Sequence, residues 1–216
     1  MRKSPFIFLY FLLYSSFSYT QIPIDLKKGG YMSLNSFINN SPNVNYNLEI
    51  KKRSKYDIAW FGGNDYKISS QIADINRIID KDLWFINDGD SLYINGIFVN
   101  GCSFYCKIEN NGKYLYFKSG IPRHYLYKKL GFKRKMIAPN YYFGGGALGG
   151  AVVGSDHALA RYYYFLDTNS GEIKVLTWGN LLQILPKDSA INKEFLNDKL
   201  NGFQFEQLKY LDRLNK

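Results

Sequence analysis

Apolar and polar positions change their spacing several times along the chain, and each change marks an element. After an extended lead containing Pro23 and the pair Gly29-Gly30, Ser33-Leu-Asn-Ser-Phe-Ile-Asn-Asn40 predicts one or two helical turns. Ser33 is their N-cap and Pro42 their stop. From Tyr46 the period falls to two: Tyr46, Leu48 and Ile50 alternate with polar residues. Tyr56-Asp-Ile-Ala-Trp-Phe61 then reads as an aromatic strand, turned at Gly62-Gly63 and returning as Tyr66–Ser70. Ile72–Ile79 fits strand and helix equally.

Three hairpins follow. Leu83-Trp-Phe-Ile86 and Leu92-Tyr-Ile94 flank Asn87-Asp-Gly-Asp90, whose Asp-Gly step supplies the positive backbone angles of a tight turn. Phe104–Ile108 and Tyr114–Phe117 flank Asn110-Asn-Gly112, and Arg161-Tyr-Tyr-Tyr-Phe-Leu166 and Ile173-Lys-Val-Leu176 flank Asp167-Thr-Asn-Ser-Gly171. Past Leu181 the spacing becomes helical in three segments, and in the last Phe205, Leu208, Leu211 and Leu214 form an apolar stripe suited to docking on the sheet. The expected class is α+β: a mainly antiparallel β-sheet, bent or barrel-like, with C-terminal helices.

Composition sharpens this picture. The 216 residues are 46% hydrophobic and 21% charged, with a mean hydropathy of −0.28, which excludes both a disordered chain and a multi-span membrane protein. Aromatics make up 18%, whereas His and Cys number two each, too few for a three-histidine zinc site or a disulfide scaffold. At the N-terminus Arg2 and Lys3 precede a nine-residue apolar run, Phe6–Tyr14, and then Ser16, Ser18 and Thr20. This is the layout of a secretory signal peptide over residues 1–20, too short to span a bilayer, and no Cys follows it for lipid attachment. The expectation is an exported protein, periplasmic, outer-membrane-associated or secreted, and not a lipoprotein. A β-rich domain would run over 21–179 with an insertion at about 118–158, and a helical segment over 180–216.

The net charge of +10 is local. Removing residues 1–20 takes away two bases, leaving 26 Lys and Arg against 18 Asp and Glu. Between Asn110 and Ser155 lie eight bases and no acid, so the remaining +8 sits in that window. Lys113 to Lys135 interleaves these bases with Tyr114, Tyr116, Phe117, Tyr125, Tyr127 and Phe132. Lys128, Lys129, Lys133, Arg134, Lys135, Tyr125 and Tyr127 are the candidate binding residues. In an exported chain anionic glycan, lipid head groups or acidic envelope protein are the expected partners, ahead of nucleic acid. The bland alternative is a solvated strand edge whose lysines discourage edge pairing.

Met136 to Ser155 carries no charge and six glycines. Gly146, Gly150 and Gly154 recur every four residues, the spacing of close helix packing. A connection between strands, packing within an oligomer and membrane contact are three readings of this segment. Gly144-Gly-Gly146-Ala-Leu-Gly149 also satisfies a dinucleotide pattern, but no buried parallel strand precedes it and a hairpin turn follows Asp167. Cys102 and Cys106 would lie about 13 Å apart on one continuous strand, and can form a small disulfide only across a tight turn. Ser155-Asp-His157 lacks a nucleophile-elbow context, and Asn87–Ser91 lacks a full calcium loop. No catalytic residue, metal or cofactor is assigned. The main expectation is a non-enzymatic envelope protein that binds or scaffolds. The alternatives are an exported hydrolase with carboxylates such as Asp88 and Asp90 gathered only by folding, and a membrane-associated oligomer.

Gly30-Tyr31 with Phe37, Asn40 and Pro42, and later Asp82-Leu-Trp-Phe85 and Gly89-Asp-Ser-Leu-Tyr-Ile-Asn95, resemble a family of exported Bacteroidota proteins of unknown function. The resemblance covers roughly residues 29–177. It implies export from a Gram-negative cell and carries over no catalytic residue.

Overall fold

The computed structural model describes residues 25–45, 47–132, 158–198 and 204–216. Residues 1–20, expected to be a signal peptide, the cluster Lys133-Arg134-Lys135 and the glycines Gly146, Gly150 and Gly154 lie outside the described residues.

Among the described residues nine strands form two antiparallel sheets. The first holds β1 (Gly29–Tyr31), β2 (Glu49–Lys52), β3 (Tyr66–Ser69), β4 (Phe85–Asn87), β5 (Leu92–Asn95) and β6 (Tyr105–Lys107). Their spatial order is β1-β4-β5-β6-β3-β2, and the sheet curls into a half-barrel. The second is β7 (Tyr114–Ser119), β8 (Tyr162–Asp167) and β9 (Ile173–Val175), in that order. Helices α1 (Leu34–Ile38), α2 (Lys55–Phe61), α3 (Ala73–Lys81) and α4 (Gly96–Val99) punctuate the first sheet. A 3-10 turn, His124–Leu126, leads into α5 (Tyr127–Leu130), and α6 (Trp178–Ile184), α7 (Ala190–Asn197) and α8 (Gln204–Leu214) close the chain.

The alternation of side chains divides the interior into three clusters. Tyr164 and Leu166 of β8 face the first sheet, where they meet Phe85, Ile94, Cys106 and Phe117 between the sheets. Tyr163 and Phe165 point the other way, into a cluster with Leu181, Phe195, Leu208, Tyr210 and Leu211 under the C-terminal helices. On the far side of the first sheet Tyr93 and Tyr105 meet Ile75 and Ile79 of α3. Burial on both faces explains why β8 reads as an unbroken apolar run. Leu208 and Leu211 dock α8 on β8, as their stripe predicts.

The β4–β5 and β8–β9 hairpins form as the turn chemistry predicts, with Phe85 opposite Ile94 and Tyr164 opposite Val175. Ser33 caps α1, and the ambiguous Ile72–Ile79 stretch falls largely within α3, which buries Ile75 and Ile79.

Two expectations are corrected. Phe104–Ile108 and Tyr114–Phe117 do not make a simple hairpin: β6 pairs with β5 and β3, whereas β7 runs six residues in register with β8. The bridge Ile108–Phe117 and the bond from Glu109 N to Tyr116 O (2.9 Å) join them at the crossing. There the Asn110 side chain takes the place of a strand, accepting from Tyr116 N and donating to Tyr114 O. The second correction concerns Tyr56–Phe61, which is the helix α2 and not a strand. The strand that precedes β3 and pairs with it is β2, with Ile50 opposite Ile68. The Ser54 hydroxyl accepts from Asp57 N (3.1 Å), and the Asp57 carboxylate accepts from Ser54 N (3.2 Å). This reciprocal capping box starts a helix that Gly62 ends.

A candidate cation–aromatic binding surface

The helix reading places three large aromatics where a strand would not. Tyr56, Trp60 and Phe61 are 68%, 70% and 76% exposed, and α2 buries only Ile58. Tyr56 and Trp60, one turn apart, have ring centroids 5.9 Å apart at 51°. Immediately before them stand the exposed Lys51 and Lys52 of edge strand β2, and Lys55 opens the helix. Cations and aromatics thus share one protruding corner.

The corner is fixed from below by polar groups. Arg53 donates to Gly62 O (2.7 Å), Asn64 O (2.8 Å) and Asp57 O (3.0 Å), tying the start of α2 to its end. Its guanidinium stacks 3.9 Å above Phe104. Gly63 is required here: its φ is +83°, and a Cβ would lie 2.7 Å from the Phe104 ring. Beneath lies a buried hub. Asn64 Oδ1 accepts from the Ser119 hydroxyl (2.7 Å) and Gly120 N (3.0 Å), and Asn100 Nδ2 donates to Ser119 Oγ (2.8 Å) and Gly120 O (3.0 Å). Tyr164 donates to the same Gly120 carbonyl (2.8 Å). Because an unpartnered buried polar group costs about 1–3 kcal/mol, this network locks the α2 loop to both sheets.

Arg161, where the chain returns after residue 157, completes the foundation. It donates through Nε to Asp65 Oδ1 (2.7 Å), has Nη2 2.7 Å from the same oxygen, and also reaches Gly63 O (3.2 Å). A cavity of about 320 Å³ opens between Arg161, Asp65, Lys52, Arg53 and Lys55, with Ile58 and Leu159 as apolar walls.

The residues singled out from sequence divide. Tyr125 is 69% exposed, and Lys128 and Lys129 are exposed on α5. Tyr127 is half-buried, its ring packed on Phe132 (5.1 Å) and His124 (5.2 Å). Tyr114 and Phe117 are core residues of β7, so the basic window is not one continuous aromatic surface. Cys102 and Cys106 are free thiols, and the small disulfide is not formed. Cys106 points from β6 into the core, where burial pushes its pKa up to about 12, while the Cys102 Sγ lies against the carbonyls of Asn100 and Ile121. Burial also raises Cys102 above the usual thiol range, with Arg123 and Arg161 opposing.

Of the two carboxylates considered for hydrolysis, Asp88 has a local duty. Asp88 Oδ1 accepts from Asp90 N and Ser91 N and shapes the hairpin turn. Glu109, Glu206 and Asp212 do line a groove of about 630 Å³ between β7, β8 and α8. Glu109 there is engaged by Lys118 (3.5 Å) and by the Tyr163 hydroxyl (3.2 Å), and Asp212 interacts with Tyr116. Among the described residues no group of three or more His, Cys, Asp or Glu is arranged to hold a metal ion.

The α2 surface was missed in the sequence reading because six aromatic-rich residues fit a period of two as well as one of 3.6. The signal that distinguishes them is Ser54-Lys-Tyr-Asp57, which has capping-box spacing. No curated protein and no solved structure matches the chain. The sequence pattern of the Family of unknown function (DUF6563) does match, over residues 29–216, from the first strand to the last residue, and the chain belongs to that family.

Proposed function

We propose that the protein is an exported, non-enzymatic envelope protein that docks reversibly on an anionic membrane surface through α2 and its flanking lysines. The observation that carries this reading is the exposure of Tyr56, Trp60 and Phe61 on a helix whose root is locked by Arg53 and the capping box. Trp and Tyr favour the head-group region, where an apolar ring and a polar tip are both accommodated. Lysines beside them add about 1 kcal/mol each at an anionic surface. Tyr125, Lys128 and Lys129 of the 3-10 turn and α5 provide a second contact of the same chemistry.

The magnitudes favour peripheral attachment. A large apolar side chain contributes about 1.5–3 kcal/mol when fully buried, and these three would be buried only in part. With three lysines the sum is several kcal/mol, enough for reversible and salt-sensitive binding. At seven residues α2 is about 10 Å long, and no described helix is long and apolar enough to cross a membrane.

The test is vesicle flotation of the full chain on phosphatidylglycerol-containing and on purely zwitterionic vesicles. Binding to the anionic vesicles alone is expected, reduced at least tenfold by Trp60→Ala with Phe61→Ala and weakened by high salt. Equal flotation of wild type and the double variant overturns the reading.

A further inference from the structure

The cavity behind α2 has more positive charge than its own residues neutralise. Lys52, Arg53, Lys55 and Arg161 face it with one carboxylate, Asp65. That carboxylate is already held by Arg161 through two contacts of 2.7 Å. Arg53 spends three of its five N–H donors on backbone carbonyls, and among the described residues no carboxylate lies within 4 Å of its guanidinium. Lys52 and Lys55 likewise have no ion-pair partner among the described residues. Burial, and behind it the charge of Arg161, pulls the Arg53 guanidinium below its usual range, with Asp57 and Asp65 opposing. Two guanidiniums are thus held near each other in a half-buried site.

Shape narrows the ligand. At about 320 Å³ the cavity is at the small end of ligand sites, a fit for a head group and not for a polymer segment. Arg53 keeps two N–H groups beyond those its carbonyls take and is a fixed positive group, Arg161 adds charge while bound to Asp65 and backbone carbonyls, and lysines at the rim add mobile point charges, a combination suited to phosphate oxygens. Ile58 and Leu159 line the wall, and Ile58 belongs to the helix that carries Trp60 and Phe61. An amphiphile with a phosphate head in the cavity would direct its apolar part toward those rings.

We propose that the cavity bounded by Lys52, Arg53, Lys55, Asp65 and Arg161 binds a phosphate group, supplied by the head of an anionic phospholipid. The inference rests on the membrane-docking reading for the source of the phosphate; the cavity's preference for phosphate stands on its own residues.

The experiment titrates the isotopically labelled full chain with inorganic phosphate and with a short-chain phosphatidic acid kept below its micelle concentration. Amide and Arg Nε–H resonances are followed by NMR. Saturable shifts at Arg53 and Arg161 are expected with both probes, the lipid binding at least tenfold more tightly. Lys52→Gln with Lys55→Gln should weaken both at least fivefold, and both side chains are exposed, so the fold is spared. Trp60→Ala with Phe61→Ala should leave inorganic phosphate binding unchanged while removing the lipid's advantage. Absence of saturable shifts with either probe, or shifts indifferent to the lysine variant, overturns the phosphate site. If wild type floats with anionic vesicles under that outcome, docking stands and the cavity plays no part in it. If phosphate binds at the cavity but neither lipid preference nor flotation occurs, the phospholipid source is overturned and the ligand is a soluble phosphate.

Discussion

Helix α2 and the C-terminal helices α6–α8 are built from the same kinds of residue and used in opposite ways. In the C-terminal layer Trp178 stacks on Phe195 (5.7 Å, 21°), and Phe195 meets Tyr210 edge-on (4.9 Å, 79°), with Phe195 and Tyr210 fully buried on the outer face of β8. Ion pairs on the rim, Lys209 with Asp198 at 2.5 Å and Arg213 with Glu194 at 2.6 Å, add register. On α2 the rings of Tyr56 and Trp60 meet each other at similar distance and stay in solvent. The two regions differ in what anchors them. The C-terminal helices are held by their apolar faces, so their aromatics are consumed by folding. Helix α2 is held at both ends by polar groups, so its apolar face is left over. An aromatic-rich sequence therefore does not by itself announce a core, and the anchoring chemistry decides.

The sharpest way to break this contrast is to delete one ring from each region. Phe195→Ala should lose about 3–5 kcal/mol, a transfer and cavity cost, seen as a fall in Tm of roughly 10 °C. Trp60→Ala should stay within about 0.5 kcal/mol of wild type by urea denaturation. A loss at Trp60 as large as at Phe195 would show that its ring is covered in the folded protein.

The second comparison is set by pH. Burial holds the Cys106 thiol, under the hub, at about 12 against an ordinary value near 9. Burial, helped by the charge of Asp212, holds the Tyr116 phenol of the C-terminal groove at about 12 against an ordinary 10. Both groups are raised, so the fold prefers their protonated forms. Their stabilisation is complete below the unfolded-state values and is lost as pH rises toward 12, starting near 9 for Cys106 and near 10 for Tyr116. Tm should therefore fall from about pH 9 upward. Cys106→Ala should flatten the slope between pH 9 and 10 and leave the fall above pH 10, and an unchanged slope would place its origin elsewhere.

The smallest effect comes from the cap of α2. Ser54→Ala should cost about 1 kcal/mol of stability, within the 0.5–2 range for N-caps, measured by urea denaturation. Because the cap and not the apolar face holds this helix, the same variant should also weaken vesicle flotation. Stability loss without weaker flotation would mean that the surface does not depend on an ordered α2.

Which parts of this were legible follows the range of the interactions. The β4–β5 and β8–β9 hairpins were readable because Asp88-Gly89 and Asn169-Ser170-Gly171 set their turns locally. The C-terminal helices were readable because Leu208, Leu211 and Leu214 repeat over several turns. The strand switch at Asn110 was not, since it depends on β7 preferring a partner that begins at Tyr162, far along the chain. Tyr56–Phe61 is too short for its period to decide, and only the cap at Ser54–Asp57 separates the alternatives. Tyr125, Lys128 and Lys129 could be selected by local charge, but the run Lys51-Lys52-Arg53 with Lys55 was hidden by an acidic remainder that balanced it. The hub of Asn64, Asn100 and Ser119 has no sequence signature at all, because three common polar residues from separate segments acquire meaning only when buried together.

The contact between Phe132 and Tyr162 (ring centroids 5.0 Å) has a consequence for how this fold can vary. The rings meet edge-on at 80°, joining the residue that follows α5 and Gly131 to the first residue of β8. A change of either ring is therefore felt at that junction, while the six-residue register of β7 with β8 is set separately.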